Sequence, residues 1–393
     1  MRFLHTSDWH LGRALCGVSL LGAQAGVLDH LVATAAAERV DAVVISGDVY
    51  DKALPNPDAV ALLSQTLERL VAVGAQVVVT SGNHDSAIRL GFASGLLAHA
   101  GVHVRTALST AADPVVIRDV VVHPIPYLEP AVAADHVGAT ERTHAAVLRS
   151  VLSRIGEVSG GDRPVVVMAH GFVTGATGCE SERDISSGGV SAVNPDIFAG
   201  AAYVAMGHLH RPQRVADNVR YSGSPVAMSF GEAQHVKGYA LVEIETGRHP
   251  RVELVSAPVD RPLAVLRGRL AELLTDPRHA GAERAWVAAT LTDPIRPLGA
   301  MDQLRRRFPH ALKLDWVPEG ERVHRPYAAR VTDRSDLDIC CDFLEHVRGG
   351  LAAGPAERRL LRESLEAARI GRHTADTESA SAAVAAAADG EVA

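Results

Sequence analysis

The sequence is poor in cysteine, in aromatic residues and in positive charge. Its 393 residues include 4 cysteines with no Cys-x-x-Cys pair, so neither a disulfide framework nor a thiolate zinc site is expected. Aromatic residues make up only 4%, so the core must be built mainly from Val, Leu, Ile and Ala. The formal net charge of −7 excludes a generally basic protein that coats nucleic acid, but it leaves room for a local basic patch.

Long hydrophobic runs are also missing. We find no uncharged apolar run long enough to cross a bilayer, and the first ten residues, MRFLHTSDWH, lack the apolar stretch of a signal peptide. We therefore predict a cytoplasmic protein that does not contact a membrane. Histidine, in contrast, is abundant, because the chain contains 19 histidines. That number permits a histidine-rich metal site.

The order of predicted elements indicates an α/β protein with more than one domain. Short apolar runs at residues 3–6, 42–46 and 76–81 alternate with segments of helical periodicity at 20–39, 58–73 and 87–100, and a further helix is predicted over 139–156. This repeated pattern favours helices packed on a sheet. Beyond residue 214, short strands separated by Gly, Asn and Pro suggest an antiparallel part of the sheet. We place the first domain at residues 1–257.

The rest of the chain divides into three segments. Residues 258–331 are predicted to form a small basic α/β domain, since 261–330 carries 13 Lys and Arg against 8 Asp and Glu. Residues 332–372 have the spacing of amphipathic helices. Residues 373–393 contain almost no large apolar side chain, so we predict a disordered tail.

Five short polar motifs each follow an apolar, strand-like run. They are Asp8-Trp9-His10, Gly47-Asp48, Gly82-Asn83-His84-Asp85, His170, and Gly207-His208-Leu209-His210. In α/β folds the loops at the carboxyl ends of strands converge on one crevice, so these distant residues can meet there. Singly, each motif has an ordinary explanation as a turn, a cap or a solvated pair. Five in chain order, each after a strand, are very hard to explain by chance.

The motif side chains are suited to binding divalent metal ions. Carboxylates, an amide oxygen and several imidazoles are ligands that favour Mn, Fe or Zn over Ca. Eight such groups are too many for one ion and suit two, with one carboxylate bridging ions about 3.5–4 Å apart. The eight are Asp8, His10, Asp48, Asn83, His84, His170, His208 and His210. Two ions in that arrangement activate water and stabilise the leaving oxygen of a phosphate ester. The sequence therefore predicts phosphoester hydrolysis.

Together, the five motifs resemble the signature of the calcineurin-like metallophosphoesterases. Other segments are similar to the SbcD family of nuclease subunits within that superfamily: TSDWHLG at 6–12, GDVYD at 47–51, AHG at 169–171, YSGSP at 221–225 and SFGE at 229–232. The resemblance covers residues 1–256 strongly and 257–370 loosely. It implies an α/β calcineurin-like phosphoesterase fold, a β-sandwich flanked by helices, with a small α/β capping domain and C-terminal helices.

The resemblance also implies roles for the motif residues. One metal ion, with Mn²⁺ expected, would be held by Asp8, His10, Asp48 and His210. A second would be held by Asp48, Asn83, His170 and His208, so that Asp48 bridges the two ions.

Two motif residues are expected to serve the reaction without binding metal. The resemblance implies that His84 stabilises the scissile phosphate or protonates the leaving oxygen. Asp85 would orient the His84 imidazole, or would only cap a turn. The contribution of Asp51, near the site in the family, stays open.

The function that the resemblance implies is a dimetal-dependent DNA nuclease. It would be a double-strand exonuclease and a single-strand or hairpin endonuclease in DNA end processing and repair. Its expected partners are DNA, an SbcC-like ATPase of the SMC family, and a second nuclease subunit. Candidate contacts for DNA phosphates are Arg13, Arg89 and the run Arg305, Arg306, Arg307, although that run could equally be a solvated helix end.

The amphipathic segment after residue 332 admits two interpretations. Its apolar stripe consists of Leu337, Cys340, Leu344 and Val347. An apolar stripe alone more often packs on its own core, whereas the family resemblance implies docking to the ATPase.

Two other functions compete with the nuclease. One is a calcineurin-like phosphoesterase acting on nucleotides, other small phosphodiesters or phosphoproteins. Phosphoprotein phosphatases typically carry Gly-Asp-x-x-Asp-Arg-Gly, and Lys52-Ala53 departs from that pattern. The other is a scaffold that has lost its metals, against which stands the presence of every expected ligand.

Overall fold

The structure is a computed structural model that describes residues 1–111, 113–158, 162–183, 185, 192–319, 335–348 and 350–368. The chain divides into two compact units. The first comprises Met1–Val265 and Arg284–Trp286, and the second comprises Leu266–Glu283 and Val287–Ala393. The predicted disordered tail, residues 373–393, lies outside the described residues.

Two six-stranded sheets form the first unit. In spatial order, one contains Arg251–Ser256, Gly238–Glu243, Arg2–Thr6, Ala42–Ser46, Gln76–Thr80 and Val102–Arg105. The other contains Gln213–Arg214, Val219–Tyr221, Tyr203–Gly207, Val165–His170, Val120–Pro124 and Val115–Ile117. In the first sheet the four strands from Arg2–Thr6 to Val102–Arg105 run parallel, and Gly238–Glu243 pairs antiparallel with both Arg2–Thr6 and Arg251–Ser256. In the second sheet the four central strands run parallel, and an antiparallel strand closes each edge.

The two sheets pack face to face. Phe3, Val44 and Val78 of the first sheet share one core with Val166 and Met168 of the second. Side chains alternate along a strand, so neighbours such as Leu4 point to the opposite face, where helices cover them. The result is the β-sandwich flanked by helices that the family resemblance implies.

Helices cover the outer faces of the sandwich. They are Leu21–Ala37, Pro57–Ala72, Ala87–Leu90, Ser94–His99, Pro130–Val137 and His144–Val158. Local sequence explains the second: the side chain of Asn56 caps it by accepting a hydrogen bond from the amide of Ala59 at 2.7 Å. Its buried residues Ala59, Leu63 and Leu70 recur on one face, which packs on the sheet.

Two helix predictions need correction. The single helix predicted over 87–100 is two short helices, because Ala93 adopts a left-handed backbone (φ 57°) between them. The helix predicted over 139–156 begins only at His144, and a separate helix, Pro130–Val137, precedes it and ends where Gly138 takes φ 69°. In both places a left-handed residue interrupts an otherwise helical pattern.

The second unit contains a three-stranded sheet. Its strands are Leu263–Gly268, which begins in the first unit, Trp286–Leu291 and Ala311–Trp316. Helices Leu270–Thr275 and Ala300–Arg307 bury Leu273 and Leu304 beside Phe308. Helix Asp336–Val347 and a helix over 355–368 follow. Among the described residues, no helix combines the length and apolarity that a membrane span requires.

Candidate metal centre

The polar motifs meet at one edge of the sandwich. Each follows the carboxyl end of a parallel strand, and the contributing strands come from both sheets. The sheets approach closely there: the Nδ1 atom of His170 lies 2.9 Å from the carbonyl oxygen of Ser46. A Cβ on Gly207 would lie only 1.8 Å from that same oxygen. Glycine is therefore required at the point where the two sheets bring their ligands together.

Left-handed backbone is concentrated in the ligand loops. Eight non-glycine residues in the described part of the chain have positive φ, and four of these are predicted ligands: Asp8 (53°), His10 (44°), Asp48 (50°) and His208 (101°). Such conformations persist only where surrounding contacts enforce them. Here the amide of His10 donates to the carbonyl of Asp48 at 2.9 Å, which ties two of the loops together.

One group of donor atoms lies around His10. The Nε2 atoms of His10 and His210 are 3.2 Å apart, and Asp8 joins them within a cluster that could hold an ion. The Oδ2 atom of Asp48 is 3.5 Å from His10 Nε2. These four residues are the ones expected to hold the first ion.

A second group lies around Asn83. Its Oδ1 atom is 3.0 Å from His170 Nε2 and 3.2 Å from His208 Nδ1. The same Oδ2 atom of Asp48 lies 3.4 Å from His170 Nε2. One carboxylate oxygen therefore faces both groups, which is the arrangement that a bridging ligand needs.

The donor set fits divalent metal ions. Nitrogen ligands lie about 2.0–2.1 Å from a zinc-like ion, so two ligands of one ion are roughly 3 Å apart, as His10 and His210 are. Asp8 and Asp48 are 0% and 1% exposed, and buried carboxylates need nearby cations. Two clusters of His and Asp side chains can thus hold the metal.

Burial and mutual contact shift the pKa values of these ligands. Burial lowers the pKa of His208 to about 3 and that of His210 to about 4, which favours neutral rings with free lone pairs. Burial raises the pKa of Asp8 to about 8. Burial would lower the pKa of His170, but the Asp48 carboxylate raises it to about 9. Metal binding at His170 would displace a proton that this raised pKa favours on its ring.

Hydrogen bonds from residues outside the motifs hold the ligands in place. Ser7 donates to Asp8 Oδ2 at 2.5 Å, and the amide of His210 donates to Glu182 at 2.6 Å. The Nδ1 atom of His210 lies 2.7 Å from Ser181 Oγ. Sequence reasoning did not find these residues, because only the folded chain brings Ser181 and Glu182 to the His210 loop.

His84 is oriented by Asp51 and not by Asp85. Its Nδ1 atom donates to the backbone carbonyl of Asp51 at 2.9 Å, and its ring centroid is 4.6 Å from that of His10. Of the two roles expected for Asp85, the observed hydrogen bonds match the turn cap and not a contact with the imidazole. The Asp85 carboxylate accepts the amides of Gly82, Val49 and Tyr50 at 2.9–3.0 Å, so it fixes the two motif loops instead.

The predicted DNA-contacting arginines differ in their ion pairs and hydrogen bonds within the protein. Arg13 pairs with Asp51 at 2.8 Å and donates to the carbonyl of Ser181, while exposed Arg89 donates to the carbonyl of Ala53.

In the second unit, Arg305 donates to the carbonyl of Ala311, and Arg307 pairs with Glu283 and lies over the Phe308 ring. Arg306 is exposed. Their role in DNA contact stays a prediction.

The predicted docking stripe lies on helix Asp336–Val347. Leu337, Cys340 and Leu344 are partly buried, and Val347 is 39% exposed. No side chain of this helix is fully buried.

A cavity of about 540 Å³ adjoins the second group of donor atoms. Asn83 and Asp85 line it on one side, and Tyr127, Glu129 and Thr106 line it elsewhere. The Tyr127 ring lies edge-on to His170, with centroids 6.1 Å apart. Tyr127 therefore contributes an aromatic side chain to the cavity beside the metal ligands.

Known proteins resemble this chain over most of its length. Residues 1–212 match the family model of the calcineurin-like phosphoesterases, and residues 259–348 match the model described as the Type 5 capsule protein repressor C-terminal domain. The SbcD subunit of the nuclease SbcCD from Staphylococcus saprophyticus is 32% identical over 319 residues, covering 80% of this chain and 84% of the relative.

Solved structures also match this chain, at low sequence identity. Protein TT1561 of Thermus thermophilus is 13% identical with a TM-score of 0.38, over 64% of this chain and 98% of that chain. A dimetal phosphatase from Danio rerio is 14% identical with a TM-score of 0.37, over 65% of this chain and 99% of that chain. The family model and the 32% identical relative decide the matter: this chain belongs to the SbcD family of calcineurin-like phosphoesterases and is a metal-dependent hydrolase of phosphoester bonds.

Proposed function

We propose that the chain is a two-metal DNA nuclease that cleaves double-stranded ends and single-stranded or hairpin DNA during end processing and repair. The observation that carries this proposal is the position of Asp48, whose Oδ2 atom faces His10 at 3.5 Å and His170 at 3.4 Å. Two ions bridged in that way, with Mn²⁺ as the proposed metal, would activate water and neutralise charge on the phosphate.

The proposed ligands divide into two sets around Asp48. The first set is Asp8, His10, Asp48 and His210. The second set is Asp48, Asn83, His170 and His208. Asp85 holds the loops of both sets by accepting amides from each, so that the ligand spacing is fixed before substrate arrives.

His84 is the proposed proton-transfer residue. Because Nδ1 donates to a carbonyl oxygen, which can only accept, the Nε2 atom is the one left to face a phosphate. In its protonated form Nε2 donates to the phosphate or to the leaving oxygen. Asp51 positions the ring through its backbone, which gives this residue a role that does not depend on its carboxylate.

We also propose two protein partners. Helix Asp336–Val347 would dock on an SbcC-like SMC-family ATPase. A second nuclease subunit would cover the apolar residues Ile88, Phe92 and Leu96, which are spaced four apart and are 88%, 80% and 77% exposed. A Phe92→Glu variant that keeps the mass of the native particle in light scattering would contradict this dimer. We also propose a cytoplasmic location.

A nuclease assay tests the proposed function directly. Purified protein with Mn²⁺ would degrade linear double-stranded and hairpin DNA, whereas bis-p-nitrophenyl phosphate and free nucleotides would be slower substrates. If the protein hydrolyses the small substrates efficiently but leaves the DNA uncleaved, the result would favour the competing nucleotide phosphoesterase. An arm without metal, restored by Mn²⁺, tests the metal requirement, and Asp48→Asn protein purified in the same way controls for contaminating nucleases.

A further inference from the structure

A chain of buried hydrogen bonds lies behind His210, on the side of the ring away from the other ligands. The Nε2 atom of His210 faces His10, whereas Nδ1 lies 2.7 Å from Ser181 Oγ. That hydroxyl is 2.6 Å from Glu232 Oε1, and Lys237 pairs with the other oxygen of the same carboxylate. Lys237 also donates to the backbone carbonyl of His210 at 2.8 Å. This series of hydrogen bonds therefore starts at the ring of His210 and ends at its backbone carbonyl.

All three supporting side chains are shielded from solvent. Ser181, Glu232 and Lys237 are 7%, 1% and 6% exposed. Their charges balance, but replacing a buried ion pair by apolar side chains is often neutral or stabilising, so the pair alone is weak support for a stability role. A second function for the pair is therefore worth testing, and its contact with a predicted metal ligand points to one.

The direction of the hydrogen bonds determines where His210 carries its proton. A carboxylate can only accept, so the hydroxyl hydrogen of Ser181 is donated to Glu232. The hydroxyl oxygen then accepts from His210 Nδ1, which must carry hydrogen. In a neutral ring this leaves Nε2 without hydrogen, with its lone pair directed toward His10.

We propose that Ser181, Glu232 and Lys237 are positioning residues that hold His210 in the Nδ1–H tautomer and so strengthen metal binding at the His10 side of the centre. The inference rests on the proposed function, because it takes His210 as a metal ligand. Imidazole ligands commonly donate their second N–H to a carboxylate or carbonyl, and losing that partner weakens metal binding by about 10–100-fold. In this chain a hydroxyl stands between the ring and the carboxylate.

The rival explanation is that the same residues only join two loops of the core. Under that explanation, removing one hydroxyl changes stability slightly and leaves metal affinity and the His210 tautomer unchanged. Metal binding and tautomer state therefore separate the two explanations, whereas activity or thermal stability alone would not.

The first experiment measures Mn²⁺ binding to the metal-free full chain by calorimetry. Ser181→Ala should weaken one of the two binding events by about 10–100-fold, and Ser181→Thr, which keeps the hydroxyl, should restore most of it. Thr66→Val is the matched control, because the buried Thr66 hydroxyl donates to the carbonyl of Leu62 inside a helix and touches no ligand. That control should bind both ions normally.

The second experiment reads the tautomer by nitrogen NMR of the metal-free protein with labelled histidine, using His210→Ala to assign the signal. The native ring should show hydrogen on Nδ1, and Ser181→Ala and Glu232→Gln should shift hydrogen toward Nε2. Native affinity and native tautomer in both variants would overturn the positioning role. If His210→Ala itself still binds two ions, the ligand assignment under the proposed function has failed instead.

Discussion

The metal centre and helix Asp336–Val347 use their side chains in opposite ways. In the metal centre, Asp8 and Asp48 are almost fully buried, and the amides of His208 and His84 donate to their carboxylates. On the helix no side chain is fully buried, and its apolar stripe is only partly covered.

The two regions differ in the kind of partner that would stabilise them. Every proposed ligand of the centre belongs to the first unit, so cations are the component that its buried carboxylates require. The helix presents apolar surface. Because removal of apolar surface from water is favourable, a protein surface that covers the helix would stabilise it. Changes at the centre should therefore act on chemistry, and changes on the helix should act on assembly.

The largest effect is expected from Asp48→Asn. The amide keeps the shape of the side chain and tolerates the left-handed backbone, but it removes the negative charge that faces both donor groups. We expect Mn²⁺-dependent DNA hydrolysis to fall by roughly 10³-fold or more, since a bridged metal pair supplies several kcal/mol. Elemental analysis should find fewer than two ions per chain.

Exposed Asp29 provides the matched control for that substitution. Its side chain is 64% exposed and pairs with Arg69, away from the ligand loops. Asp29→Asn should retain native activity and metal content. Near-native turnover by Asp48→Asn would contradict the proposal that Asp48 bridges two metal ions.

A smaller and different effect is expected from His84→Ala. His84 touches His10 edge-on but is not among the proposed ligands, so metal content should stay near two ions per chain. Turnover should drop by roughly 10²–10⁴-fold, the range for one positioned proton-transfer group. Single-turnover kinetics with saturating Mn²⁺ measure this loss separately from metal binding.

His99→Ala is the control for losing an imidazole. The exposed His99 ring also bonds a backbone carbonyl, that of Gly95 at 2.9 Å, within its own helix. The His99→Ala substitution should leave turnover unchanged. Loss of an ion from His84→Ala would mean that this residue binds metal.

The motifs predicted the location of the centre because its geometry follows from a general rule. Residues after parallel strands meet at one edge of the sheet, so spacing alone brings Asp8, Asp48 and Asn83 together. Hydrogen-bond partners do not follow from spacing. Asp85 lies next to His84 in the chain, yet it accepts the amides of Val49 and Tyr50, because the packing of two loops turned it away from the ring.

Sequence reasoning was also limited where function depends on distant contacts. Ser181 and Glu232 meet His210 from 29 and 22 residues away, and neither lies in a motif with metal-ligand spacing. Helix interruptions were missed for a local reason, since Ala93 carries no intrinsic preference for the left-handed backbone that it adopts. Periodicity predicts which residues face a core, but it does not predict such breaks.

Assembly is tested on helix Asp336–Val347 by the double variant Leu337→Glu/Leu344→Glu. Burying one leucine contributes roughly 1.5–3 kcal/mol, so two charged replacements should weaken binding to an SbcC-like ATPase by roughly 100-fold or more. Hydrolysis of bis-p-nitrophenyl phosphate should not change, because no proposed ligand lies on this helix. Titration calorimetry with the purified ATPase measures the first quantity.

Glu363→Gln, at an exposed position of the helix over 355–368, is the matched control and should bind the ATPase normally. A double variant that unfolds or precipitates would support packing of the stripe on the chain's own core. Full ATPase affinity with native stability would exclude this face as the docking surface.

The smallest effect is expected from Arg306→Gln in the basic second unit. If Arg306 contacts a DNA phosphate, its loss should weaken binding a few-fold and reduce the slope of log affinity against log salt by about 1. Arg306→Lys keeps the charge and should keep the slope, and Arg278→Gln, an exposed arginine of the same unit, should also leave it unchanged. If the arginine run only stabilises the end of helix Ala300–Arg307, Arg306→Gln should instead lower stability by roughly 0.3–1 kcal/mol with no change in slope. Fluorescence anisotropy with labelled duplex DNA over a series of salt concentrations, together with a denaturant melt, measures both quantities on the same protein.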